Sequence, residues 1–220
     1  MSDFEDLLVA ILQDEPNTDL VRELVQSGID INKQHEQYGT PLIVAASHQK
    51  FEMVNLLLEL GADCTLTHPQ VQMTALHIAC FNGFIDIAQE LMKHSAPLDA
   101  RDNQGWTPLM FTAQEDQLEC AELLLSHGAE VDARDAIDRT ALMQAARCGH
   151  KQIAERLIAS GADIHAQCGW STPLIIASTA GYINVGEILL DHGANIDELD
   201  DRDGYSALMM AAFGGHSGFV

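Results

Sequence analysis

One short string recurs six times along this chain: Thr (once Ser), then Pro or Ala, then Leu. Its copies are Thr40-Pro41-Leu42, Thr74-Ala75-Leu76, Thr107-Pro108-Leu109, Thr140-Ala141-Leu142, Thr172-Pro173-Leu174 and Ser206-Ala207-Leu208, at successive spacings of 34, 33, 33, 32 and 34 residues. A second marker keeps step about 21 residues behind the first: Gly61-Ala62-Asp63, Ser95-Ala96-Pro97, Gly128-Ala129-Glu130, Gly161-Ala162-Asp163 and Gly193-Ala194-Asn195. A unit of this length cannot enclose a core of its own. Such units must stack on their neighbours and bury a continuous core between them, which confines the chain to a repeat architecture.

Each marker has a local physical role. A Thr or Ser hydroxyl caps a helix N-terminus, and Pro suits the first helical position because its missing N–H would have gone unused. The small apolar run that follows, such as Leu142 to Ala146, suits a helix packed closely on both sides. A Gly then ends it (Gly83, Gly149, Gly181, Gly215), supplying a left-handed turn at no steric cost. The second helix carries apolar residues at helical spacing, for example Cys120, Ala121, Leu123, Leu124 and Leu125, or Ile153, Ala154, Leu157 and Ile158. An Asp- and Gly-rich stretch such as Asp99 to Gly105 closes the unit with a hairpin-like turn. The predicted unit is helix, turn, helix, hairpin.

The string DNQGWTPLMFTAQ…AELLLSHGAEVDARD, Asp102 to Asp135, resembles the ankyrin repeat. The resemblance covers nearly the whole chain and implies an all-α solenoid of stacked helix–turn–helix units in a single domain spanning 1–220. Residues 1–35 form its N-terminal capping unit, recognised from the half-repeat Leu20 to Asn32. Five full repeats cover 36–199, at about 36–68, 69–101, 102–134, 135–166 and 167–199, and 200–220 is a truncated sixth. Departures from the pattern are expected to cost regularity. Gln49 and Asp116 stand where Gly normally separates the helices, Ser95 replaces the Gly after helix two, and Tyr38, Gln72, Asp138 and Trp170 occupy the hairpin Gly slot. A non-Gly residue in a left-handed conformation costs roughly 1–2 kcal/mol. Repeat 3 follows the pattern most closely.

Charge narrows the partners. Eleven basic against 33 acidic residues give a net charge of −22, a field that repels phosphate backbones and anionic lipid. Nucleic acid and membrane are therefore excluded as expected ligands, while a protein with a basic surface is compatible. The chain is 47% hydrophobic but only 5% aromatic, which excludes wholesale disorder and predicts an aliphatic core. Five cysteines (Cys64, Cys80, Cys120, Cys148, Cys168) without a C-x-x-C pair suit neither a disulfide framework nor a zinc site. The apolar run Leu7 to Leu12 is too short for a secretory signal or a span, so a cytoplasmic location is expected.

In ankyrin proteins, the resemblance implies, hairpin tips and first helices line a concave surface that grips partners. The variable slots are the four residues before each anchor and the pair before the inter-helix Gly. Thirty-six such slots at 5% aromatic content should hold about two aromatics; they hold six (Tyr38, Phe81, Trp106, Trp170, Tyr205 and Phe213), half of the chain's 12. Aromatic and Arg side chains carry most interface hot spots. The candidate protein-binding residues are therefore Met73, Phe81, Gln104, Trp106, Gln114, Ile137, Arg139, Arg147, Trp170, Tyr205 and Phe213, with Phe81, Trp106, Arg139 and Arg147 as the centre. Trp106→Ala and Arg139→Ala should then weaken a partner without moving the thermal transition.

Clusters that could carry chemistry fall to the repeat register. His94, His127 and His192 share one repeat position and His150 and His216 another; His77 fills the slot after Thr-Ala-Leu, where the resemblance implies an inter-repeat hydrogen bond. Glu198, Asp200, Asp201 and Asp203 lack the ligand pattern of a calcium loop, with Leu199 at a ligand position. Gly215-His216-Ser217-Gly218 has its second Gly one place too early for a nucleophile elbow. No catalytic residue, cofactor or metal is expected. The expected function is a protein–protein interaction module; the alternatives are the targeting arm of a larger enzyme or effector, or a small ankyrin-type inhibitor. An open final helix would leave Leu208, Met209 and Phe213 uncovered, so a monomer with end-to-end association at that end is expected.

Overall fold

The anchors begin helices because their hydroxyls replace a backbone acceptor that the first turn lacks. In the computed structural model, which describes residues 3–13, 17–169, 171–200 and 203–219, the side chains of Thr40, Thr74, Thr140, Thr172 and Ser206 accept from the amides of Ile43, His77, Met143, Ile175 and Met209 at 3.3–3.4 Å. Each such cap contributes about 1 kcal/mol. Thr107, in the repeat nearest the pattern, departs from it: its hydroxyl makes no cap bond, and the Met110 amide instead donates to the Thr107 carbonyl at 3.0 Å.

Thirteen α-helices and a short 3₁₀ turn, with no extended strands, make up the described residues. The fold is an all-α repeat solenoid. Contacts cluster into two compact units, Met1–Asn103 and Gln104–Val220, as expected where each repeat touches only its neighbours. The first unit contains α1 (Asp3–Leu12), α2 (Thr18–Gln26), α3 (Pro41–Ser47), α4 (Phe51–Glu59), α5 (Ala75–Asn82) and α6 (Ile85–Lys93). The segment 1–35 thus holds a complete helix pair, of which only the second helix was legible as half a repeat. First helices stack on first helices (α1 on α3, α3 on α5), and α4 stacks on α6. The core between these layers is Leu7, Ile11, Leu42, Met53, Leu57, Leu76, Ile87 and Leu91.

The second unit repeats the plan with α7 (Pro108–Gln114), α8 (Leu118–Ser126), α9 (Ala141–Cys148), α10 (Lys151–Ala159), α11 (Pro173–Ala180), α12 (Ile183–Asp191) and α13 (Ala207–Gly214). Here α7, α9, α11 and α13 form the first-helix layer and α8, α10 and α12 the second. The sequence's non-glycine departures are real backbone features: Gln49, Gln72, Ser95, Asp116 and Asp138 sit at φ of 55–65°. Tyr38 is the exception. Gly39 beside it takes the left-handed conformation at φ 79°, so Tyr38 escapes the strain. Trp170, assigned to the same slot, lies outside the described residues. At Gly149 both reasons for glycine coincide: φ is 82°, and a Cβ there would strike the Tyr182 ring.

Cys120 illustrates how packing changes chemistry. It is 2% exposed on the buried side of α8, and burial pushes its thiol from the ordinary 9.0 up to about 11, with the neighbouring Glu119 charge adding to the shift. The unfolded chain therefore loses this proton first. Cys120's contribution to stability is complete below pH 9 and declines as pH rises toward 11, by roughly 2–3 kcal/mol for a two-unit shift. In urea titrations the stability difference between wild type and Cys120→Ala should be constant below pH 8.5 and shift against the wild type between pH 9 and 11. A constant difference across that range would contradict this thiol's burial.

Candidate protein-binding surface

Three repeat positions recur along the first-helix layer, some buried and some exposed: the residue before each anchor, and those four and seven residues after it. In the second unit these are Trp106, Phe111 and Gln114; Arg139, Gln144 and Arg147; Ser171, Ile176 and Thr179; and Tyr205, Met210 and Phe213. Their neighbourhood is visible in direct contacts. The Trp106 and Phe111 rings lie 5.0 Å apart, Tyr205 and Phe213 meet edge-on at 5.2 Å, and Arg147 reaches Gln114 in the preceding repeat at 3.1 Å.

Trp106 is only 7% exposed. Its ring packs on Phe111 and lies under the Arg139 guanidinium, 5.5 Å from the ring centroid. Arg139 in turn donates through Nε to Asp135 Oδ2 at 2.8 Å. The other carboxylate oxygen accepts from the Ile137 amide at 3.0 Å and the Arg139 amide at 2.9 Å, and the Asp135 side chain is 1% exposed. Asp135, Arg139 and Trp106 therefore tie down the hairpin before α9. With the indole buried and Arg139 bonded to Asp135, removing either is now expected to cost stability, where the sequence led us to expect no change.

Arg147 differs. It is exposed, and its fork is held by neutral amide oxygens: Nε donates to Gln144 Oε1 and Nη2 to Gln114 Oε1, both at 3.1 Å. Gln114's own amide nitrogen turns the other way, to Glu115 Oε1 at 2.8 Å. Among the described residues no carboxylate forms an ion pair with Arg147. Gln144 is the unusual member. It is fully buried, and its Nε2 has no hydrogen-bond partner among the described residues. The corresponding positions elsewhere are apolar: Val44, Ile78, Phe111, Ile176 and Met210. Leaving a buried amide donor unsatisfied costs about 1–3 kcal/mol.

Sequence reasoning missed Gln144. The available signal was a single polar residue in an otherwise apolar column. Around it, residues 134–156 hold five of the eleven basic side chains against three acidic ones, a basic island in a chain of net charge −22.

The other candidates are distributed as follows. Ile137 (59% exposed) and Phe213 (73%) project from the second unit with a half-buried Tyr205, while Gln104 is exposed and its carbonyl receives the Ala136 amide. In the first unit Phe81 is exposed and Met73 half-buried, its carbonyl accepting from the His68 amide. That unit also contains a groove that the sequence did not announce, about 490 Å³, lined by Leu8, Val9, Leu12, Tyr38, Val44 and His48.

The histidines serve the repeat. His94, His127 and His192 each donate from Nδ1 to the carbonyl four residues back, at 2.9–3.1 Å. His150 and His216 donate from Nε2 to the carbonyls of Gln114 and Thr179 in the preceding repeat. His77 completes a capping box with Thr74. Asp200 Oδ1 accepts from the amides of Asp203 and Tyr205, which makes it a turn residue; Asp201 lies outside the described residues. Among the described residues no group of three His, Cys, Asp or Glu side chains could hold a metal ion, and no helix is long and apolar enough to cross a membrane.

The family description "Ankyrin repeats (3 copies)" matches residues 6–68, 61–135, 102–168 and 142–220. The chain belongs to the ankyrin repeat family. Human ankyrin repeat and SOCS box protein 11 is 33% identical to it over 96 residues, 44% of this chain and 29% of that protein. A fowlpox virus ankyrin repeat protein is 37% identical over 93 residues, 41% and 27% of the two chains. Ankyrin repeat and KH domain-containing protein mask-1 of Caenorhabditis elegans is 38% identical over 100 residues, 46% of this chain and 4% of the relative. The matches therefore span less than a third of these relatives. Ankyrin repeats are generally protein–protein interaction modules, and the family is typically non-catalytic.

Proposed function

We propose that this ankyrin repeat chain is a non-enzymatic interaction module that holds a partner protein on its concave face, through first helices and hairpin tips. The observation that carries the reading is the contrast within the second unit's repeat columns. Trp106 and Arg139 are consumed by packing, whereas Ile137, Arg147 and Phe213 remain exposed at equivalent or adjacent positions. Large exposed side chains on a rigid first-helix layer lose little entropy on binding, which suits them as anchors. The net charge of −22 steers a basic partner toward the chain from beyond contact distance and keeps nucleic acid and anionic membrane away.

A second reading is that the chain is the recruiting arm of a larger protein. It is favoured by the short share of each relative that is matched, and by the SOCS box in the human relative's name. The two readings agree on the surface and differ in what is attached to it.

A photo-crosslinking amino acid placed at Ile137 or Phe213, and for comparison at the exposed second-helix positions Glu122 and Glu187, tests the assignment in an extract of the native cell. Protein adducts are expected from Ile137 and Phe213 alone. Adducts formed mainly from Glu122 or Glu187, or none from any position, overturn it.

A further inference from the structure

We infer that Arg147 is a preset receptor for one Asp or Glu carboxylate presented by a segment of the partner protein, with Gln144 and Gln114 as its positioning residues. This rests on the protein-binding reading above. Three independent features converge on it. First, Arg147 is exposed in a chain with threefold more acidic than basic residues, yet no carboxylate among the described residues pairs with it. Second, its guanidinium is nevertheless oriented. Bonds to the two amide oxygens at 3.1 Å hold Nε and Nη2, so the donors left for a bidentate carboxylate are Nη1 and the second Nη2 hydrogen.

Third, the device has a structural cost. Gln144 is buried with an unsatisfied Nε2, in a column where five other repeats carry apolar side chains. Packing alone would favour an apolar residue there. Its visible role is to hold Arg147 Nε, and departures of this kind are expected at functional or strained sites.

Charge specifies the guest. Glu115 stands one residue from Gln114 and is bonded to its amide, so the environment is one uncompensated cation beside an existing anion. Arg139, the next Arg on the layer, already serves Asp135. A single negative charge fits this balance; a doubly charged phosphate does not. The partner implied is basic overall and acidic at one contact position, a combination that excludes both strongly acidic proteins and uniformly basic ones.

The test uses the full chain against a library of random 12-residue peptides with amidated C-termini, displayed beside matched sets bearing phosphoserine or a free C-terminus. Wild type should enrich otherwise basic peptides with Asp or Glu at one fixed position. Replacing that acid by Asn or Gln should weaken binding at least 10-fold, as should Arg147→Ala, whereas Arg147→Glu should select Lys or Arg at the same position. Gln144→Leu should raise the thermal transition while weakening the acidic peptides several-fold; a purely structural Gln144 would not separate the two effects.

The proposal is overturned if enriched peptides have no fixed acidic position, if Arg147→Glu selects the same set as wild type, or if phosphoserine or free C-terminal peptides bind tighter. An empty selection also overturns it. Crosslinking through Ile137 and Phe213 would still stand in that case, so the carboxylate assignment fails separately from the binding surface.

Discussion

Trp106→Ala is expected to lower the stability of the folded chain by about 3–5 kcal/mol, the cost of deleting a large aromatic from a packed site. The indole is 7% exposed, rests on Phe111 and supports the Arg139 guanidinium. Its loss opens a cavity beside α7 and removes the surface over which Arg139 spans to Asp135. Arg139→Ala should cost less, about 1.5–3 kcal/mol for a charge-assisted hydrogen bond, because the Ile137 and Arg139 amides still serve Asp135. The two losses should not add, since both act on one hairpin. Arg147→Ala provides the contrast: its own side chain is exposed, but the change strips the buried Gln144 Oε1 of its Arg147 Nε donor, so a smaller loss of about 1 kcal/mol is expected. Urea denaturation of wild type, the three single variants and the Trp106→Ala/Arg139→Ala double variant measures all of this. A Trp106→Ala midpoint equal to that of wild type would restore Trp106 to the list of free binding residues.

The second large effect concerns how stability is distributed. Leu124 is fully buried on α8, where α7 and α10 pack, and Leu124→Ala should cost about 2–5 kcal/mol. Leu208 occupies the anchor Leu of the last repeat but is 44% exposed on α13. Leu208→Ala should therefore cost under about 1 kcal/mol, because little area leaves water there on folding. In a stack whose energy is a sum of neighbour interfaces, the position of a leucine along the array decides its worth as much as its place in the repeat. Equal losses at both sites would contradict the additive picture.

The organisation of this chain was legible because the repeat writes its rules locally. A hydroxyl capping a helix, a proline at the first turn and a glycine at a left-handed stop each act over three or four residues, so their spacing reveals helix boundaries without any knowledge of what packs where. The pairs α3/α4 through α11/α12 follow the anchors for this reason. Even the departures were visible, since Gln49, Gln72, Ser95, Asp116 and Asp138 adopt the left-handed backbone their slots require. Where a cap has an alternative acceptor, local chemistry is not decisive: the Met110 amide chose the Thr107 carbonyl over its hydroxyl.

The candidate surface was only half legible. The variable slots identified Trp106, Arg139 and Arg147 as a group, because sequence records which positions change from repeat to repeat. It does not record how much of each side chain water reaches. That depends partly on the adjoining repeat: Arg139, 33 residues on, covers Trp106 together with the nearby Phe111, while Gln114, 33 residues back, orients Arg147 together with the nearby Gln144 and leaves it uncovered. Register along the chain was determined by the sequence itself through short-range backbone chemistry. Exposure and hydrogen-bond satisfaction belong to stacked neighbours, so tertiary structure alone separated the arginine that locks a hairpin from the one that faces solvent.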